Sequence, residues 1–171
     1  MSESAATLSA KEIEALVVKL SNSDGAVRQK AREALVADGS HDVTRAMIIV
    51  LNDPRQHTRW EAAKALVAIG DPISASALTH HLRDEDSDVR WLAAEGVAEL
   101  GEAGLKATLN AAIRHSGDAA FCKAAHHAFK EFKRHGTHAK KLDAVMKACE
   151  TDEPGVHVPL EAYKVLEEIC Q

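Results

Sequence analysis

Aromatic side chains are scarce in this 171-residue sequence: two Trp, one Tyr and three Phe, or 4% of the chain. Yet 46% of residues are hydrophobic, and much of that share is Ala, Leu and Val. A core poor in rings suits helices whose axes approach closely. Only four Pro and nine Gly are present, which excludes collagen-like or Pro/Gly-rich low-complexity chains and favours helix. The three cysteines, Cys122, Cys149 and Cys170, are odd in number and far apart. They form neither a disulfide framework nor a metal or redox motif, and read as reduced thiols. No apolar run approaches the roughly 20 residues that span a bilayer. The opening MSESAATLSAKE lacks a cationic start and an apolar core, so it does not read as a signal peptide. A soluble, cytoplasmic protein is expected, and the length suits one domain with a sizeable core. Positive charge is in deficit: the formal net charge is −5, against general nucleic-acid binding. Residues 1–101 carry 11 basic and 16 acidic side chains, and residues 102–171 carry 10 of each. There is no Gly-rich phosphate loop and no G-x-S-x-G motif.

What the sequence has is a repeat. Arg28, Arg59 and Arg90 are spaced by 31 residues, as are Gly39, Gly70 and Gly101, and Val27, Thr58 and Val89. The strings are VRQKAREALVADG, TRWEAAKALVAIG and VRWLAAEGVAELG. Each reads as a helix: Thr58, Ala62, Ala65 and Ile69 form one stripe of a 3.6-residue period. The closing glycine is the expected left-handed residue after the helix. Asn22, Asp53 and Asp84, again 31 apart, are good N-cap types. Asp53-Pro54 and Asp71-Pro72 place proline at a first helical position.

A second helix set lies between these. It covers about Ser9–Leu20, Asp42–Leu51 and Pro72–Arg83, and Ser9 and Glu12 form a capping box at the first. Each repeat is therefore helix A, turn, helix B, glycine. Phe121, Ala125, Ala128 and Phe132 recover the helix-B stripe 32 residues on, and Val158, Ala162, Val165 and Ile169 recover it 37 further on. Their A helices fall at about Gly104–Arg114 and His138–Cys149. The arginine column is lost there, to Cys122 and Pro159. A terminal repeat, with one neighbour to pack on, is expected to depart from the pattern. The expected organisation is one domain over 1–171, with repeats at about 9–39, 41–70, 71–101, 102–136 and 137–171.

DEDSDVRWLAAEGVAELG, preceded by RWEAAKALVAIGDP, resembles HEAT-like repeats of the phycobilisome-lyase type. Three of the five repeats match that family's D…VR..AA.AL..IGD signature well, over about residues 9–101. The resemblance implies an all-α fold, an α-solenoid of about five helical hairpins, and a function of binding other macromolecules. It also implies that helix B lines the concave face.

In that register the Arg and Asp columns are structural, and an Asp–Arg ladder between neighbouring repeats is expected. The residue after each arginine falls off the core stripe: Gln29, Trp60, Trp91, Lys123 and Leu160. Flanking columns are Lys30, Glu61, Leu92, Ala124 and Glu161, and Glu33, Lys64, Glu95, His127 and Lys164. Tryptophan is enriched at binding hot spots. The candidate partner-binding surface is therefore Gln29, Trp60, Glu61, Lys64, Trp91, Leu92, Glu95, Lys123 and His127. The same face suits self-association into a homodimer. The competing reading is that both tryptophans only pack between repeats.

Ten histidines include His80-His81, His126-His127 and His135-x-x-His138. Adjacent histidines on a helix point about 100° apart, and Gly136 separates the last pair, so no metal site is expected. His81 falls on a core-facing position. HEAT-like di-iron hydroxylases carry His-Glu dipeptides, and this sequence has none. Residues 121–147 hold seven Lys/Arg against two Asp/Glu, densest over Lys130–Lys141. The first reading of this segment is a solvated charged turn, with weak nucleic-acid contact as the alternative. The sequence thus points to a non-catalytic protein-interaction or scaffold module, without cofactor, metal or catalytic residue, that binds a protein or peptide. A chromophore-lyase-like enzyme, or its accessory subunit, is the alternative the resemblance implies.

Overall fold

The structure, a computed structural model, describes residues 7–170. The N-terminal composition that argued against a signal peptide lies partly outside those residues. Among the described residues there are ten α-helices and no strand. No helix is long and apolar enough to cross a membrane. The chain divides after Ser74 into two compact units.

The first unit holds α1 (Ala10–Lys19), α2 (Gly25–Asp38), α3 (His41–Val50) and α4 (Gln56–Ile69). Helices α1 and α2 form one hairpin and α3 and α4 a second. They stack in register, α1 on α3 and α2 on α4. Ile13, Leu20, Leu35, Met47, Leu51 and Leu66 fill the core between them. The capping box at α1 is present: Ser9 N donates to Glu12 Oε2 at 2.8 Å, and Glu12 N to Ser9 Oγ at 3.4 Å.

The second unit holds α5 (Ala75–His80), α6 (Ser87–Glu99), α7 (Gly101–His115), α8 (Ala119–Arg134), α9 (Asp143–Cys149) and α10 (Pro154–Ile169). Here α5 packs on α7 and α6 on α8, in the same register of A on A and B on B. Phe121, Phe129 and Phe132, fully buried on α8, supply the large rings of this core. The third helix A, expected as one helix over Pro72–Arg83, is broken. A 3-10 turn covers Pro72–Ser74, α5 follows, and a second 3-10 turn covers His81–Arg83. Ser74 Oγ bonds back to Asp71 O at 2.6 Å, which tightens the first turn.

The turns between helices A and B carry the repeat's main regularity. Asn22, Asp53 and Asp84 are not the N-caps; those lie two residues on, at Asp24, Arg55 and Asp86. Each residue of the expected column accepts instead from the backbone N–H two residues later, at 2.8, 2.9 and 2.9 Å. These are Asx turns that lead the chain into the cap. Pro54 accordingly sits in the turn before α4 rather than inside the helix.

The arginine column is structural, and its three members share one target, the backbone carbonyls of the preceding turn. Arg28 Nη1 donates to the carbonyls of Asn22 and Ser23 at 2.8 and 3.0 Å. Arg59 Nη1 donates to Asp53 and Pro54 at 3.0 and 3.2 Å. Arg90 Nη1 donates to Asp84 and Glu85 at 2.7 and 3.1 Å. Carbonyls in a turn have no place in a helix ladder, and a guanidinium can serve two of them at once. In the fourth repeat Cys122 stands in the column. Its thiol keeps the same reach, donating to Ser116 O at 3.1 Å.

The glycines behave as expected, with φ of 58° at Gly39, 69° at Gly70 and 58° at Gly101. A further glycine went unremarked in the sequence. A Cβ on Gly104 would lie 1.8 Å from the Val97 carbonyl oxygen, because α7 begins one residue after α6 ends and the two backbones touch.

The fifth hairpin departs from the register. Helix α10 lies on α7, an A helix, while α9 lies on α8, a B helix. The loop between α8 and α9 contains two left-handed residues, Gly136 (φ 81°) and His138 (φ 46°). They turn the chain so that the hairpin closes the unit with its helices exchanged. The stripe of α10 is still buried at Val158, Ala162 and Val165, but Leu160, Glu161 and Lys164 do not extend the row of α6 and α8.

Two outcomes follow for stability. Gly104→Ala forces α6 and α7 apart and is expected to cost about 3 kcal/mol, lowering Tm by roughly 10 °C. Gly70→Ala, which meets only the left-handed backbone penalty, is expected to cost about 1 kcal/mol. Arg59 is 5% exposed, so Arg59→Ala removes a buried side chain and the donor of two part-buried carbonyls and is expected to cost about 2–3 kcal/mol, more than Arg90→Ala at the half-buried position. Thermal melts of the four variants check both rankings.

Candidate partner-binding site

Helix geometry brings one set of expected residues together in the second unit. On α6, Arg90, Trp91 and Ala94 face α8; on α8, Lys123, Ala124, His127 and Lys130 face back. They line a groove of about 440 Å³. Its room comes from small side chains, since Ala94, Ala120 and Ala124 leave space that larger residues would fill. Trp91 is 54% exposed, a large ring left facing solvent. Its indole stacks on the His127 imidazole, with centroids 3.8 Å apart and planes 24° from parallel. Its Nε1–H donates to Glu95 Oε1 at 2.9 Å, which fixes the ring along the helix. Lys123 is exposed, and Leu92 and Glu95 are half-buried.

His127 is held as a neutral ring. Burial pushes its pKa down, with Lys130 and His126 adding to that, against the opposing pull of Glu131 and Glu95. Its Nε2 is buried and has no hydrogen-bond partner among the described residues. The groove therefore has an aromatic floor edge, a neutral imidazole and three cationic neighbours in Arg90, Lys123 and Lys130.

The expected residues of the first unit behave differently. Gln29 is exposed and bonds Glu33 at 2.7 Å. Trp60 is half-buried under cations of its own unit: Lys64 Nζ lies 4.5 Å from the ring centroid and Arg32 Cζ 5.8 Å. Glu61, counted with the surface from the sequence, is only 3% exposed. It accepts from Arg28 Nε at 3.3 Å and pairs with Arg32. The carboxylate links α2 to α4, and its burial follows from that pairing.

The histidines have local work. His81, expected on a core-facing position, is 7% exposed with Nδ1 2.8 Å from Asp84 Oδ2. His41 meets Asp71 at 2.6 Å, and His126 meets Glu150 at 3.0 Å. Among the described residues no group of three or more His, Cys, Asp or Glu side chains is placed to hold a metal ion. Burial pushes the Cys149 thiol up to about 12 and also raises Cys122. Such thiols are poor nucleophiles near neutral pH.

A second, more polar groove of about 310 Å³ lies between α5 and α7, beside His80, Arg83, Arg114 and His115. Arg83 there is bonded to Asp118 at 2.9 Å. Asp118 also caps α8 through the N–H groups of Ala120 and Phe121, and the Arg83 guanidinium beside it holds its pKa low. That cluster ties two repeats together.

A family model described as HEAT repeats matches residues 13–98, half of the chain. The chain belongs to the HEAT-repeat family. Its fold class is accordingly the all-α solenoid, built from the paired and stacked helices seen in each unit. The match covers the three repeats in which the Arg and Gly columns hold. Among solved structures, one described as an engineered protein is 21% identical, with a TM-score of 0.46, covering 92% of this chain and 79% of that one. No curated protein matches the sequence.

The depressed His127 pKa sets a pH dependence. The unfolded chain takes up this proton near the ordinary histidine value of about 6.5, before the folded ring does. Stability is therefore lost as pH falls through about 6.5. Thermal melts from pH 8 to pH 5 are expected to show a shallower loss for His127→Phe than for the unmodified protein. A parallel pair of curves would contradict this.

Proposed function

We propose that this HEAT-repeat protein is a non-catalytic interaction module that binds a partner protein through its helix-B face, centred on Trp91. HEAT repeats commonly mediate protein–protein interaction or scaffolding. The observation that carries the reading is the exposed Trp91 ring, held rigid by His127 and Glu95 beside an open groove. A pre-ordered aromatic with little freedom left to lose is the kind of anchor on which binding energy concentrates. Lys123 and His127 line the groove beside it, with Glu95 bonded at its edge and Leu92 next to it along α6. In the first unit Trp60 and Lys64, together on α4, offer a contact of their own, with Gln29 on α2. Glu61 is buried there in its pairing with Arg28 and Arg32.

Trp91→Ala is expected to keep the helical circular-dichroism signal and to weaken partner binding by about 2 kcal/mol, roughly 30-fold. Trp60→Ala, already covered by Lys64 and Arg32, is expected to cost less. The check is affinity capture from the native cell with each variant, followed by direct binding of the purified partner. Unchanged binding by both variants would rule this face out.

A further inference from the structure

The charges around Trp91 narrow the partner's chemistry. Several basic side chains of the second unit are neutralised internally. Lys106 pairs with Glu102, Lys133 with Asp143, Arg134 with Glu131, Lys141 with Glu168 and Lys164 with Glu161. Lys123 and Lys130 are exceptions: both are exposed, and neither has an ion-pair partner among the described residues. Arg90 commits one nitrogen to the turn carbonyls and leaves the rest of its guanidinium toward the groove. No carboxylate lines the groove, although the chain as a whole carries −5. A locally cationic surface in an acidic protein needs an anionic counterpart to be neutralised.

We infer that the segment this groove recognises is an acidic amphipathic helix, with two carboxylates about two turns apart flanking an apolar side chain. This rests on the reading that the groove binds a protein partner. The spacing comes from α8 itself. Lys123, His127 and Lys130 stand at i, i+4 and i+7, one stripe of the helix. Seven residues rise about 10 Å, so the two ammonium groups bracket the Trp91–His127 stack. The alanine floor between them accepts an aliphatic side chain, and the indole face covers it. Carboxylates at i and i+7 of an incoming helix reproduce the lysine spacing. A continuous phosphate backbone fits less well. Glu95, bonded to the Trp91 indole, would face a long polyanion at the groove's edge.

The test uses the full chain carrying Trp60→Phe, so that Trp91 is the sole tryptophan and its fluorescence reports the groove. Three synthetic helical peptides share one Leu/Ala pattern and carry Glu, Gln or Lys at two positions seven apart. The Glu peptide is expected to bind at least roughly tenfold tighter than the Gln peptide, and the Lys peptide weakest. That advantage is expected to vanish in Lys123→Gln/Lys130→Gln and to shrink as salt is raised. Equal affinity for Glu and Gln peptides, or an advantage that survives the lysine substitutions, overturns the inference. So does a single-stranded oligonucleotide that binds tighter than the Glu peptide. If the Glu and Gln peptides bind equally and Trp91→Ala abolishes both, the groove remains the binding site and only its acid preference fails. If no peptide binds, the inference fails, while capture of a partner sensitive to Trp91 is judged separately.

Discussion

The bond from helix B back to the turn that precedes it is the constraint on which the repeats depend. A helical hairpin has a weak point in the turn between its helices, where carbonyls lie outside any helix ladder and the chain is free to pivot. In the first three repeats an arginine one turn into helix B closes this gap. One nitrogen binds the carbonyls five and six residues back. A charged donor held by two neutral acceptors is stronger than an ordinary backbone bond, and it is partly shielded from water. It fixes where helix B starts relative to helix A, and hence which residues of helix B face inward. The Asx turn on the other side of the loop shares that task, bonding the N–H two residues on. Together the two devices satisfy both the donors and the acceptors of a short loop.

Where this device weakens, the geometry changes by degrees. The Cys122 thiol makes the same i−6 bond with a weaker donor, and α8 still packs on α6 as a B helix should. Pro159 has no side-chain donor and no N–H, and there the order is lost: α10 lies on α7 instead. The exchange does not come from hydrophobic patterning, because the α10 stripe is as apolar as the others and is buried. Patterning decides that a helix is buried, and turn chemistry decides against which neighbour.

That division explains what was legible in the sequence. The ten helices, the period and the left-handed glycines follow from local rules, and the structure bears them out. Several of the missed features depend on which acceptor a polar group chooses. Asn22, Asp53 and Asp84 are cap residues by type, yet in this loop length they make Asx turns and leave capping to residues two positions on. The arginines looked suited to carboxylates, and Arg28 does meet Glu61 of the next repeat, but the acceptors common to all three are carbonyls, which no sequence column displays. Glu61 shared a column with surface residues, but two arginines one repeat earlier make its burial tolerable. A signal did exist for that: Arg28 and Arg32 lie at i, i+4 on the facing helix. Gly104 was hidden for a different reason, because its role is set by a backbone on another helix.

The groove at Trp91 is a consequence of the same framework. Small residues at Ala94, Ala120 and Ala124 let α6 and α8 approach, and they leave a trough between helices too narrow to be filled by either. Filling it with larger side chains would push the helices apart and strain the turns that the arginine and Cys122 bonds hold. The trough is thus a by-product of close packing. What makes it more than that is the set of groups left around it. Trp91 sits where a short polar residue would serve packing equally well, and it is braced by His127 and Glu95 rather than buried. His127 keeps a nitrogen unbonded there, which is costly in a buried setting. Stability alone favours neither an exposed indole nor an unbonded imidazole nitrogen. Their coincidence with Lys123 and Lys130, which have no ion-pair partner among the described residues, is what the proposed binding reading rests on.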